Sequence, residues 1–224
     1  MTTGPAIQAA PRAVLFDLDN TLTDSLTFAA GLLVDAAATH GYQLDFAEVA
    51  SYGGALYIPL LQQLAHIDET KAREIYATYV DTYGSTMQGR LEATAGANEI
   101  VAAMHARGIS LGLVTNKMER LAGDILAMYG WRDAFGVVVG QDTRPFQKPN
   151  PEPALFALAT LECDPVNAAF IGDAAADIMC GRDAGIPILV GLLATETADE
   201  LRAAGATHIC ENLDAASALL LGSS

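Results

Sequence analysis

Short apolar runs alternate along this chain with alanine-rich segments of helical period, and this alternation strongly limits its fold. The runs lie at residues 13–16, 110–115, 137–139, 168–172 and 186–190. Runs without polar alternation are typical of strands that are covered on both faces of a sheet. Because helical segments separate them, we predict an α/β fold with a parallel sheet and right-handed crossovers.

The segments between the apolar runs carry helix stop signals. Helices are predicted at residues 99–107, 121–129, 177–184 and 198–204, and the residues that follow them are Gly108, Gly130, Gly185 and Gly205. A glycine just past the last turn is a common helix terminator, because it adopts the left-handed conformation without a steric penalty. These positions support the division into strands and helices.

The alternation is interrupted between residues 25 and 91, where we predict no buried strand. This stretch contains helical segments at residues 28–40, 58–65 and 70–83, and a glycine-containing turn at residues 51–56. We therefore predict two domains. Residues 1–24 and 92–224 form the core, and residues 25–91 form an all-helical domain inserted after the first strand.

Composition excludes several classes of protein. A chain that is 51% hydrophobic and 17% charged can bury a sizeable core and is not disordered. Twelve basic and 27 acidic residues give a net charge of -15, which argues against nucleic acid or a membrane surface as a partner. The apolar runs fall short of the roughly 20 residues of a membrane span, and no signal peptide is recognisable. The three scattered cysteines suit a reducing compartment, so we expect a soluble, cytoplasmic protein.

Pairs of acids follow two of the predicted strands. Asp17 and Asp19 come directly after the first strand, and the strand period of two places them on the same side. Asp173 follows the strand at residues 168–172, and Asp177 comes four residues later, at the start of a helix. The alternative is purely structural: Thr21 and Asp173 would then act as helix N-caps. Carboxylates this close raise each other's pKa unless a cation compensates, so a bound metal is the functional interpretation.

Two further strand ends carry groups suited to an anionic ligand. Thr115 and Asn116 leave the strand at residues 110–115 and offer a hydroxyl and an amide, although a simple helix cap would explain them equally well. Lys148 is one of only three lysines and is followed by Pro149, so its backbone is restricted. Ligands of open parallel sheets bind beyond the carboxyl ends of the strands, where all of these residues are expected. Oxygen ligands for Mg²⁺ beside donors for a phosphoryl group indicate phosphoryl transfer.

In their order and spacing, these motifs resemble those of the haloacid dehalogenase superfamily. They are residues 17–21, Thr115-Asn116, Lys148-Pro149 and Gly172-Asp173 with Asp177. The resemblance covers about residues 13–221 and implies a three-layer, Rossmann-like core with a small C1-type helical cap. Residues 115–117 and 148–153 are similar to the phosphoglycolate phosphatase branch.

The resemblance implies a role for each matched residue. Asp17 would be the nucleophile, and Asp19 would protonate the leaving oxygen and then take a proton from water. Thr115 and Asn116 would hold the phosphoryl oxygens, and Lys148 would offset negative charge. The implied Mg²⁺ ligands are Asp17, the carbonyl of Asp19, Asp173 and Asp177. Ala174 departs from the family pattern, in which Ser or Thr is common; we nevertheless expect activity to be retained.

Several functions remain open on the sequence alone. We favour a phosphatase that acts on a small phosphorylated metabolite, with Tyr52 and Gly53 of the turn at residues 51–56 as candidate substrate-binding residues in the cap. The alternatives are a β-phosphoglucomutase-like sugar phosphomutase, a pyrophosphatase, a haloacid dehalogenase and a non-enzymatic phosphate-binding regulatory module. Asp19 argues against a dehalogenase, because a second catalytic acid at that position is typical of the phosphotransferases of this superfamily. The sequence does not distinguish a monomer from a homodimer.

Overall fold

The predicted parallel sheet is confirmed in a computed structural model, which describes residues 2–5, 7, 9–53 and 55–222. Six strands run parallel in the order β9-β8-β7-β2-β5-β6, and β1 pairs antiparallel with β9. The strands are β1 (Thr2–Thr3), β2 (Ala13–Phe16), β5 (Ser110–Val114), β6 (Phe135–Val139), β7 (Ala168–Gly172), β8 (Ile188–Leu192) and β9 (His208–Cys210). Strands β3 (Thr23–Asp24) and β4 (Glu92–Ala93) form a separate two-stranded ladder.

The chain divides into two compact units, and six of the ten α-helices found among the described residues belong to the unit that contains the large sheet. This unit consists of Met1–Thr23 and Ala93–Ser224, and the second unit is Asp24–Glu92. The helices of the sheet-containing unit are α5 (Ala97–Ala106), α6 (Glu119–Met128), α7 (Glu152–Thr160), α8 (Ala175–Asp183), α9 (Ala198–Ala204) and α10 (Leu213–Leu221). Gly108, Gly130, Gly185 and Gly205 all have positive φ angles, so the predicted helix stops are confirmed.

One predicted strand is displaced along the chain. We predicted a strand at residues 186–190, whereas β8 spans Ile188–Leu192. The Ile186 amide still belongs to the end of α8, because it donates to the Gly181 carbonyl at 3.0 Å. Pro187 has no amide hydrogen to donate to a sheet ladder, so the strand begins after it.

The strand register brings the polar motifs to one edge of the sheet. Strand β2 lies between β5 and β7, and Phe16 pairs with Leu113 on one side and with Ile171 on the other. These three residues are buried, as is expected for a sheet covered on both faces. Asp17 therefore leaves the sheet beside the residues that follow β5 and β7.

In its described residues, the second unit has four helices and a core rich in tyrosine. The helices are α1 (Leu26–Thr39), α2 (Phe46–Ala50), α3 (Tyr57–Ala65) and α4 (Glu69–Thr86), of which α2 was not predicted. Tyr79 is buried, and its ring contacts those of Tyr57, Tyr76 and Tyr83 at centroid distances of 5.1, 5.6 and 5.7 Å. Asp68 caps α4 by accepting the Lys71 amide at 2.8 Å. Across the described part of the chain, no helix combines the length and the apolar character needed to cross a membrane.

Candidate active site

A buried lysine joins two of the predicted acids. The Lys148 ammonium lies 2.6 Å from Asp17 Oδ1 and 2.6 Å from Asp177 Oδ1. The side chains of Lys148, Asp17 and Asp177 are only 4%, 8% and 2% exposed. Charged groups this deeply buried are found almost only where they are paired or bind a ligand. Residues 131 positions apart in the sequence therefore meet in one cluster.

Asp173 completes an acidic trio with Asp17 and Asp177. One carboxylate oxygen from each residue lies within 4.8 Å of the other two. Asp173 Oδ1 accepts a hydrogen bond from the Thr21 hydroxyl at 3.0 Å, and Asp173 Oδ2 accepts one from the Thr195 hydroxyl. The structural alternatives considered for the sequence are therefore wrong: Thr21 caps no helix, since the next one begins at Leu26, and the N-cap of α8 is Ala174.

The start of α8 places Asp177. Its Oδ2 accepts the Ala174 amide at 3.1 Å, so the acid closes the first turn of the helix and leaves Oδ1 for Lys148. Gly172 is required here, because a Cβ at that position would lie 2.3 Å from Asp177 Oδ2. The glycine thus permits the close approach of the carboxylate to the end of β7.

Asp19 belongs to a different ion pair. Its Oδ2 lies 3.1 Å from the ammonium of Lys117, and the two side chains are 21% and 5% exposed. The Asp19 carboxylate is not a member of the acidic trio. The expected contact of its main-chain carbonyl with a metal stays a prediction.

Thr115 and Asn116 lie where β5 ends. Thr115 is buried, its amide donates to the Val139 carbonyl at 2.9 Å, and its hydroxyl accepts the Lys117 amide at 3.2 Å. The Asn116 side-chain amide donates to the main-chain carbonyl of Lys148 at 3.3 Å. Asn116 therefore ties the end of β5 to the segment that carries Lys148, a contact that sequence reasoning did not foresee.

The pKa directions reflect burial and mutual repulsion. Burial raises the pKa of Asp17 well above its ordinary value, the charge of Lys148 opposes this shift, and Asp177 adds to it. Burial and the charge of Asp177 likewise raise the pKa of Asp173 to about 7, against the hydrogen bonds from Thr195 and Thr21. Burial alone would lower the pKa of Lys148, but the carboxylates of Asp17 and Asp177 outweigh it and raise that pKa.

The cap candidates lie in the other unit. Tyr52 and Gly53 belong to the turn after α2, and Tyr52 Oη accepts a hydrogen bond from Gln63 Nε2 at 3.4 Å. Gly54 of the same turn lies outside the described residues. A contact of Tyr52 or Gly53 with substrate stays a prediction.

Sequence reasoning assigned no functional role to three residues of the site: Lys117, Thr21 and Thr195. The sequence did carry a signal for Lys117. The chain has only three lysines, and this one directly follows Thr115 and Asn116 at the end of a predicted strand. Thr195 comes three residues after β8, at the same edge of the sheet, but its polar neighbours resemble an ordinary helix start. The hydroxyl direction of Thr21 depends on turn geometry, for which the sequence carried no signal.

Comparisons with known proteins agree with this geometry. Residues 14–190 match the model of the haloacid dehalogenase-like hydrolase family. The chain is 31% identical over 192 residues to a phosphoglycolate phosphatase of Xylella fastidiosa, covering 84% of this chain and 83% of the relative. It is 32% identical over 178 residues to an N-acetylmuramic acid 6-phosphate phosphatase of Pseudomonas aeruginosa, covering 78% of each.

A solved structure shows the same fold. It is described as a predicted phosphoglycolate phosphatase from Haemophilus somnus and superposes with a TM-score of 0.81 at 23% identity, covering 92% of this chain and 96% of the other. The family match spans the segments that carry Asp17, Thr115, Lys148 and Asp173. The chain therefore belongs to the haloacid dehalogenase-like hydrolase family and, within it, to the phosphatases.

Proposed function

We propose that the protein is a Mg²⁺-dependent phosphatase that hydrolyses a small phosphate monoester through an aspartyl-phosphate on Asp17. The observation that carries this proposal is the buried cluster in which Lys148 lies 2.6 Å from both Asp17 and Asp177, beside Asp173. Buried titratable groups at the carboxyl ends of parallel strands are characteristic of a functional site.

The residues present suit a divalent cation. Four carboxylates (Asp17, Asp19, Asp173 and Asp177) and two ammonium groups (Lys117 and Lys148) leave a formal charge of -2. Carboxylate and carbonyl oxygens are the hard ligands that Mg²⁺ prefers. Asp17, Asp173, Asp177 and the Asp19 carbonyl would hold the ion, which would withdraw charge from the phosphoryl oxygens when bound.

The first half of the reaction transfers the phosphoryl group to the protein. A carboxylate oxygen of Asp17 attacks phosphorus, and the bond between phosphorus and the ester oxygen breaks. Asp19 donates a proton to that leaving oxygen, so the product leaves as an alcohol. Lys117 would hold the carboxyl group of Asp19 in position through the 3.1 Å contact.

The second half restores the nucleophile. Asp19, now ionised, takes a proton from a water molecule whose oxygen attacks phosphorus. The bond between phosphorus and Asp17 breaks and releases inorganic phosphate. Throughout, the Thr115 hydroxyl and the Asn116 amide would bind phosphoryl oxygens, and Lys148 would offset the charge that builds up on them.

The names of two relatives support a proposal for the substrate class. Two related proteins are named for the hydrolysis of phosphoglycolate and of N-acetylmuramic acid 6-phosphate, so we propose a small phosphorylated metabolite of this kind. Residues 25–91 would act as a cap that contributes Tyr52 and Gly53 to substrate binding. A cap of this kind would exclude bulk water during the chemical steps.

A substrate panel tests the proposal. Purified protein is assayed by phosphate release with Mg²⁺ against 2-phosphoglycolate, N-acetylmuramic acid 6-phosphate, a hexose phosphate, a nucleotide, pyrophosphate and an aryl phosphate. We expect Mg²⁺-dependent turnover, with the highest kcat/KM for one of the small monoesters, and loss of turnover when EDTA removes the metal. Absence of phosphate release from every compound at every metal concentration would refute the proposal.

A further inference from the structure

The carboxylate of Asp173 is held on both of its oxygens. The Thr21 hydroxyl donates to Oδ1 at 3.0 Å, and the Thr195 hydroxyl donates to Oδ2. Asp173 and Thr21 are fully buried, and Thr195 is half-buried. The carboxylate is therefore bound from two sides by neutral donors.

These donors come from the two strands that flank β7. Thr21 follows β2, which pairs with β7 on one side, and Thr195 follows β8, which pairs with it on the other. Gly172 at the end of β7 lies opposite Gly191 of β8, so the segment after β8 begins beside Asp173. The support for this acid thus comes from two segments that are distant in the sequence, at separations of 152 and 22 residues.

Paired donors of this kind fix the direction of a carboxylate. Each oxygen accepts up to two hydrogen bonds or metal contacts, so one hydroxyl per oxygen sets the plane of the group and leaves acceptor capacity for a cation. The neighbouring residue cannot supply this support, because Ala174 has no hydroxyl and its amide already donates to Asp177. Donors that orient metal ligands typically change metal affinity when they are removed.

We propose that Thr195, together with Thr21, is a positioning residue that orients Asp173 toward the divalent cation, so that the loop after β8 contributes to metal affinity. The inference rests on the proposed metal dependence. It makes Thr195, in the segment between β8 and α9, part of the active site, although its side chain is not expected to touch the reacting atoms.

The test compares two threonines of the same loop. Thr195→Val removes the hydroxyl with little change in volume, whereas Thr195→Ser retains it. Thr197→Val is the matched control, because the Thr197 hydroxyl donates to Glu200 and caps α9, away from Asp173. Mg²⁺ affinity is measured by calorimetry on the substrate-free protein, and kcat is measured at saturating Mg²⁺.

We expect Thr195→Val to weaken Mg²⁺ binding by roughly 10- to 100-fold. Thr195→Ser and Thr197→Val should bind Mg²⁺ like the wild type, and kcat of Thr195→Val should largely recover at saturating Mg²⁺. Circular dichroism checks that each variant is folded. If Thr195→Val does not fold, a Thr195→Ser affinity well below that of the wild type would overturn the inference, because the serine hydroxyl should suffice.

The outcomes separate this inference from the proposed function. A wild type that hydrolyses phosphate esters with Mg²⁺, together with a folded Thr195→Val variant of unchanged Mg²⁺ affinity, overturns the positioning role alone. Equal weakening in Thr195→Val and Thr197→Val also overturns it, because that would indicate a general loosening of the loop. A wild type that neither binds Mg²⁺ nor releases phosphate overturns both.

Discussion

The two units of this protein bury different kinds of side chain. Among its described residues, the sheet-containing unit buries five Asp and Lys side chains. Four of them lie in segments that connect strands to helices, and the fifth, Asp177, lies in the first turn of α8: Asp17, Lys117, Lys148, Asp173 and Asp177. The helical unit holds six of the seven tyrosines, and among its described residues no charged side chain is fully buried.

This difference separates buried residues suited to chemistry, in the sheet-containing unit, from buried residues that serve packing, in the helical unit. Ring contacts such as those of Tyr79 contribute to stability through area and geometry, and many apolar side chains could replace them. A buried carboxylate is unfavourable unless partners compensate it, so a cluster of three is retained only where something else requires it. Variants in each unit should therefore differ in which property they change.

Asp17→Asn should have the largest effect. The amide is almost isosteric but is not a nucleophile, so we expect phosphatase turnover to fall by at least about 10⁴-fold. Turnover is measured with an aryl phosphate at saturating Mg²⁺, and circular dichroism checks the fold. Activity within tenfold of the wild type would mean that Asp17 does not form the covalent intermediate.

Lys148→Met should lower both activity and stability. Loss of the ammonium leaves Asp17 and Asp177 without their shared partner, which we expect to reduce kcat by roughly 10²- to 10³-fold. Breaking the buried pair should lower the free energy of unfolding by about 3–5 kcal/mol, as measured by urea denaturation without Mg²⁺.

The matched control is Lys71→Met in the helical unit. The Lys71 side chain is 38% exposed and pairs with Glu74 within α4, so the same substitution should leave kcat and the unfolding midpoint unchanged. Equal losses of kcat and of stability in Lys148→Met and Lys71→Met would show that the two units do not differ in this way.

The stability of the metal-free protein should depend on pH because of the raised pKa of Asp173. The pKa of this group is raised from 3.8 to about 7 in the folded protein, so between these values the folded state holds a proton that the unfolded chain has released. Unfolding then releases a proton, and the metal-free protein should become less stable as the pH rises from about 4 to about 7. Urea midpoints in EDTA are measured across this range.

Two comparisons isolate this contribution. Asp173→Asn should reduce the fall in stability, and Mg²⁺ should oppose it by taking the place of the proton. A metal-free wild type whose stability changes with pH in the same way as that of Asp173→Asn would contradict the assignment.

The smallest effect on function should come from Tyr79→Leu. The variant loses ring contacts with Tyr57, Tyr76 and Tyr83, and we expect the free energy of unfolding to fall by about 1–3 kcal/mol. Mg²⁺ affinity, measured by calorimetry, should stay within about twofold of the wild type, because these contacts involve no residue of the acidic trio. A large loss of Mg²⁺ affinity would show that the two units are not separable in this way.

The sequence predicted which residues form the site wherever the residue type and its position near the end of a strand were sufficient. Asp17, Asp173, Asp177 and Lys148 could be placed together because the carboxyl ends of parallel strands share an edge. The contacts of Thr21, Thr195 and Asn116 could not be predicted, because hydroxyl and amide directions depend on turn geometry. Helix α7 was not predicted either: its Pro153 reads as a helix breaker, although proline is tolerated in a first turn.

The central position of β2 has a consequence for the time course of synthesis. Ala13 is made early, but its two neighbours in the sheet are Ser110 and Ala168. At the 5–20 residues per second typical of translation, the strand waits on the order of ten seconds for its second neighbour. The helical unit, whose contacts are local, can form in that interval, while the apolar strand that precedes Asp17 remains unpaired. The apolar strand that precedes Asp17 is therefore exposed to aggregation during this interval of synthesis.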